Sequence, residues 1–119
     1  MNTAAPEASV RNDSSGTFEV VASGNGRFAA RGPLTFATAR QAQEQGLRSL
    51  AGAAGRELEV DCGGITASDS AGLAVLLDWL GAMKRAGRAL RYARLPAGLV
   101  ALARISEVEE LLERGVQVP

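Results

Sequence analysis

Asp69 and Ser70 are the residues of this chain best placed to do chemistry. A carboxylate and a hydroxyl stand side by side just before a strongly apolar stretch, LAVLLDWLGAMKRAG. If that stretch is helical from Leu73, both side chains lie at or just outside its N-cap, where an oxygen can accept from backbone amides that have no partner within the helix. Two readings are open. The pair caps the helix and does nothing more, or it is also a switch. A phosphate on Ser70 would bring about two negative charges to free amides and to the positive end of the helix dipole. Asp69 beside it would add like-charge repulsion, so local stability need not rise.

Other chemistry has little to work with. The chain has no histidine, which removes imidazole triads, imidazole metal sites and the commonest acid–base group. The single cysteine, Cys62 in the apolar run ELEVDC, cannot form a thiolate zinc cluster or a redox pair. It reads as a small core side chain suited to a reducing compartment. There is no Walker-type loop. Gly24-Asn25-Gly26 falls in an expected hairpin, and Gly63-Gly64 lacks the third glycine of a dinucleotide fingerprint. Asp61, at the expected end of a strand, and Asp78, in mid-helix, are not expected to converge with Asp69 on a divalent ion. No catalytic residue, metal ligand or cofactor site is expected, and the chain reads as non-enzymatic.

The elements around Asp69-Ser70 make a unit. ELEVDC is a short strand, GGITASDSAG a polar turn with Gly72 as its pivot, the apolar stretch a crossover helix, and RALRYARL a second strand. About 30 residues is the size of a right-handed βαβ unit, whose strand-to-helix turn is a usual address for function. Upstream, TFEVVA and RFAAR flank Ser23-Gly24-Asn25-Gly26, an Asn-Gly turn suited to type I′ geometry. LTFA then links to a helix from Thr38, whose spacing to Gln41 matches a capping box, with Gly46 as a weak point before its end near Ala51-Gly52. Downstream, Pro96 opens a third helix. Ser106 with Glu109 is a second capping-box match before a last short helix or strand. The order β-β-α-β-α-β-α with a terminal α or β predicts a single α/β domain over residues 17–114. Its mixed sheet of four to five strands carries helices on one face. Residues 1–16, poor in groups to bury, are expected to be a disordered lead-in, and residues 115–119 a tail.

Projected at 100° per residue, the helix after Ser70 turns Leu73, Leu76, Leu77, Leu80 and Met83 to the sheet. Ala74, Val75, Asp78, Gly81, Ala82 and Arg85 share the opposite arc, with Trp79 at its margin. That arc is small and apolar for a solvent face, and Trp79 and Arg85 are residue types enriched in interface hot spots. It is either a docking surface or a face covered by the chain's own tail. The 13 basic and 13 acidic residues cancel, so neither nucleic acid nor an anionic membrane is expected as a main partner. No basic start followed by an apolar run suggests a secretory leader, and no apolar run reaches transmembrane length. A cytoplasmic location is expected, with attachment at the inner membrane only through a partner.

The segment LEVDCGGITASDSAGLAVLLDWLGAMKRAG resembles the central strand, loop and helix of STAS domains. FAARGPLTFATA is similar to that family's second strand and helix start, and GRALRYARLPAGLVALARISEVEELL to its fourth strand and following helix, so the likeness spans Thr17 to Leu112. It implies a SpoIIAA-like fold. Asp69-Ser70-Ala71-Gly72-Leu73 matches the family's Asp-Ser/Thr-x-Gly-Leu loop. In anti-sigma factor antagonists the position of Ser70 is phosphorylated by a partner kinase. In the MlaB group it lies at the contact with a transporter's cytoplasmic ATPase. The Leu73 to Leu77 run and Lys84-Arg85-Ala86-Gly87 are most similar to the MlaB group. That likeness implies a Gram-negative cytoplasmic protein that binds the ATPase subunit of a phospholipid ABC transporter maintaining outer-membrane asymmetry. The alternative it implies is an anti-sigma factor antagonist whose partner is an anti-sigma factor serine kinase. The partner-binding or switch residues implied are Asp69, Ser70, Ala71, Gly72, Ala74, Val75, Asp78, Trp79, Ala82 and Arg85. Ala71 departs from both groups, which often hold Ser and Gly there, and the Ala-rich N-terminal extension is longer than a compact subunit needs.

Overall fold

A computed structural model describes residues 16–118. The lead-in expected over residues 1–16 lies, except for Gly16, outside the described residues. Strands β1 (Glu19–Gly24) and β2 (Arg27–Leu34) form the expected hairpin and pair antiparallel. Its turn is not type I′, which needs positive φ at both central residues. Gly26 has a φ of 69°, whereas Asn25 stays on the ordinary side of the map. Helix α1 (Ala39–Ala51), strand β3 (Glu57–Ser68), helix α2 (Ser70–Arg85), strand β4 (Ala89–Ala93), helix α3 (Ala97–Ile105) and helix α4 (Glu109–Arg114) follow. The sheet order is β1-β2-β3-β4, with β3 parallel to both neighbours, and the helices pack on one face. The element order is the one expected. The ambiguous C-terminus holds both forms: α4, then a single antiparallel bridge from Val116 to Leu90.

Two strands are longer than the sequence suggested. The polar turn expected from Gly63 is strand as far as Ser68, which places Asp61 in mid-strand rather than at its end. Gly63-Gly64 signals a turn in isolation, but here it serves close strand approach. A Cβ on Gly64 would sit 2.9 Å from the Ala30 carbonyl oxygen, at a register shift between β2 and β3. Strand β2 likewise runs through Gly32-Pro33 to Leu34. A second register shift between Gly32 and Pro33 accommodates a residue with no amide to donate.

Period-two burial sorts the sheet. Phe28, Ala30, Leu58, Val60, Cys62, Ile65, Leu90 and Tyr92 point under the helices, where they meet Leu50 of α1, Leu76, Trp79 and Leu80 of α2, Leu99 of α3 and Leu112 of α4. The opposite face carries cross-strand ion pairs: Arg91 with Glu59 at 3.3 Å, Arg94 with Asp61 at 2.7 Å, Arg31 with Glu19 at 4.0 Å. Exposed pairs of this kind add little stability each. Arg94 holds the Asp61 carboxyl below the usual carboxylate range, with a further bond from the Gly63 amide.

Neither capping box forms. Thr38 is the N-cap of α1, yet its hydroxyl accepts from the Thr35 amide at 3.0 Å and donates to the Pro33 carbonyl at 2.8 Å. Gln41 instead donates to the Phe18 carbonyl at 3.1 Å, and Gln45, one turn on, accepts from the Val20 amide at 2.8 Å. Two glutamines of α1 thus engage main-chain groups along the outer border of the sheet. At α4 the N-cap is Val108, and Glu109 pairs with Arg104 at 2.9 Å rather than reaching back to Ser106. The loop from α1 to β3 is pinned by Arg88, whose guanidinium donates to the carbonyls of Leu50, Ala53 and Gly55.

Candidate protein-docking site

The site begins with one carboxylate. Asp69 is the N-cap of α2, in extended conformation, and its Oδ1 accepts from the Gly72 amide at 3.1 Å while its main-chain oxygen accepts from Leu73 at 3.0 Å. The other oxygen, Oδ2, accepts from the Phe36 amide at 3.0 Å, in the loop between β2 and α1. Gly72 is required by proximity: a Cβ there would overlap the Leu34 carbonyl oxygen. The parallel pairing of Leu34 with Ser68 brings that loop and the start of α2 to the same end of the sheet.

Ser70 is the first residue of α2, and its side chain is exposed. Asp69 and Ala71 are half-buried, and Gly72 is buried. Farther along α2, Ala74, Asp78 and Arg85 are exposed and Gly81 and Ala82 half-buried, as their arc predicts. Asp78 accepts from Gln43 of α1 at 2.9 Å.

Val75 and Trp79 are corrections. Val75 was expected on the outward arc and Trp79 at its margin, yet Val75 is 4% and Trp79 0% exposed. Projecting one helix cannot reveal a second helix beside it. Helix α1 packs along α2, and Gly46 lies against the Trp79 indole so closely that a Cβ would overlap the ring. Phe18 approaches the same ring from the hairpin at 6.2 Å between centroids. The indole N–H finds no partner among the described residues. The uncovered face of α2 therefore narrows to Ser70, Ala74, Asp78 and Arg85, with Gly81 and Ala82 at its edge.

The acidic residues do not converge. Asp61 pairs with Arg94 on the open face of the sheet, Asp69 caps α2 and Asp78 meets Gln43. Among the described residues no group of three or more His, Cys, Asp or Glu side chains could hold a metal ion. Cys62 is buried, and loss of solvation, with Asp61 next to it, pushes its thiol up to about 12, so it is a poor nucleophile. No helix among the described residues is long and apolar enough to cross a membrane.

One exposed residue was not singled out from sequence. Phe36 is 84% exposed beside Asp69. In LTFA it read as an apolar link. The local signal was slight: a phenylalanine between Thr35 and Ala37, in the short link between Gly32-Pro33 and the helix start at Thr38.

Comparisons with known proteins bear on the family and the fold. The family model described as "Mlab, STAS domain" matches residues 19–113. No curated protein sequence matches the chain. Among solved structures, the anti-sigma factor antagonist SpoIIAA in its unphosphorylated form is similar with a TM-score of 0.57 at 11% identity, covering 82% of this chain and 84% of that one. That likeness is one of fold. With the model spanning β1 to α4 and the Asp69-Ser70 loop at the head of α2, the chain belongs to the STAS domain family, in the branch that the MlaB-named model describes.

Proposed function

We propose that this STAS domain binds the cytoplasmic ATPase subunit of a phospholipid ABC transporter that maintains outer-membrane lipid asymmetry. The docking face is the end of the domain built from Asp69, Ser70, Ala71 and the exposed stripe Ala74, Asp78 and Arg85. The observation that carries this reading is the match of the MlaB-named family model across nearly the whole domain, joined to an exposed Ser70 hydroxyl on that loop. ATP hydrolysis belongs to the partner, which holds the nucleotide. The domain acts by binding one state of the ATPase better than another, since equal affinity for both would shift nothing. It is held at the inner membrane through that partner.

Ser70→Glu tests the docking face. A carboxylate at the first helical position suits the dipole, so folding should be unchanged or slightly favoured. Charge and volume at the contact should weaken binding to the purified ATPase subunit at least ~10-fold, as expected for a desolvated interface group. A variant that binds and supports transport like the natural protein would place the interface elsewhere.

The exposed hydroxyl also supports a second reading, an anti-sigma factor antagonist controlled by phosphorylation of Ser70. Incubation with a serine kinase of that class and ATP, followed by mass spectrometry, separates the two. Phosphate on Ser70 together with no affinity for the ATPase would favour the antagonist.

A further inference from the structure

At the docking end, a phenyl ring stands in solvent on a loop that is held rather than loose. Phe36 is 84% exposed, the highest value among the large apolar side chains of the described residues. Four hydrogen bonds brace its loop. The Phe36 amide donates to Asp69 Oδ2, the Thr35 amide to Thr38 Oγ1, the Thr38 hydroxyl to the Pro33 carbonyl and the Thr38 amide to the Thr35 carbonyl. Ile105, 80% exposed, is simply the last residue of α3. The carboxylate that holds the Phe36 amide also caps α2, so a single side chain sets Phe36 and Ser70 at a fixed spacing.

A ring carried on a braced backbone costs less to immobilise on binding than one on a loose loop, and its burial brings a large area out of water. Its surroundings select the partner. Ala37, Ser70 and Ala74 are exposed and small, so another backbone can approach closely. The charged groups of the face and its border are two carboxylates, Asp69 and Asp78, and two cations, Arg85 on the same stripe of α2 and Arg40 on the first turn of α1. A face so nearly neutral lacks the basic cluster that would hold it to an anionic lipid surface, and an apolar ring among small side chains suits a protein pocket.

Resting on the docking face described above, we propose that Phe36 is the apolar anchor of that face. It enters a pocket of the ATPase subunit, and Asp69 is the positioning residue that aims it. The test compares the natural protein with Phe36→Ala, Phe36→Leu, Asp69→Asn and the Phe36→Ala/Asp69→Asn double variant, each titrated against the purified ATPase subunit. Because Phe36 is outside the core, Phe36→Ala should melt with the natural protein while losing affinity about 10- to 100-fold, and Phe36→Leu should lose less. Asp69→Asn leaves one oxygen for two amides. It should speed hydrogen exchange at the Phe36 amide and weaken binding, by a factor that shrinks once Phe36 is already alanine. If the natural protein does not bind the ATPase, the docking reading falls and the anchor with it. If it binds and a folded Phe36→Ala binds within twofold, the anchor alone is overturned. Phe36-dependent sedimentation with phosphatidylethanolamine/phosphatidylglycerol vesicles in the absence of the ATPase, or Phe36-dependent self-association, would also overturn it.

Discussion

Gly46→Ala gives opposite answers from helix propensity and from packing. Gly46 lies inside α1, where replacing glycine by alanine ordinarily gains about 0.8–1 kcal/mol. Its added Cβ would overlap three atoms of the Trp79 indole, a ring that is 0% exposed and flanked by Phe18. The contact is with the rigid body of the ring, not the tip of a flexible chain, so α1 or the indole must move. Overpacking of this kind costs about 1–3 kcal/mol, and an overlap with several ring atoms belongs at the upper end. Taking about 3 against a gain of about 1 leaves a net loss of about 2 kcal/mol. For a domain of this size that lowers Tm by about 8–16 °C. Gly81 on α2 is the internal control, because its Cβ would meet only the Arg85 guanidinium, at 3.3 Å. Gly81→Ala should be neutral or stabilising by up to about 1 kcal/mol. Urea titrations followed by circular dichroism and by the fluorescence of the chain's one tryptophan give both values, and the emission also reports wetting of the α1–α2 seam. A Gly46→Ala protein as stable as the natural one, with unchanged emission, would refute this account of the seam.

The other expectations concern single side chains. Arg88→Ala strips the guanidinium from three carbonyls at the end of α1 and should cost about 1.5–3 kcal/mol, with faster amide exchange in the loop before β3. Cys62 should resist a disulfide reagent in native buffer at pH 8 and react fully in denaturant. Its thiol titrates near 12 when folded and close to 9 when freed, so it favours the folded state below pH 9 and that contribution falls as pH rises from 9 towards 12. Rapid native-state labelling would mean that the strand opens.

The order of elements was legible because burial alternates by two along the strands and the Asp69-Ser70 pair marks a helix start. Boundaries were less so. Gly63-Gly64 has the composition of a turn, and only the neighbouring strand shows that the missing side chains admit the Ala30 carbonyl. The two capping boxes had the right residues, but Thr38 serves the loop just before it, Gln41 the Phe18 carbonyl and Glu109 the Arg104 guanidinium, each in place of the reciprocal cap. Val75 and Trp79 looked outward for want of α1. At the site, Asp69 and Ser70 could be found because cap chemistry is local. Phe36 was missed because its local signal is slight and the carboxylate that holds its amide lies 33 residues away.

The borders of the sheet narrow how this molecule can be approached. On the β1 side, Gln41 and Gln45 already occupy the Phe18 carbonyl and the Val20 amide. On the β4 side, Leu90 exchanges both of its main-chain bonds with Val116. An extended peptide arriving at these points would have to evict groups that are satisfied, which discourages runaway stacking of copies into fibrils. It also leaves recognition to knobs and helix ends, where a visitor gains contacts without first breaking any.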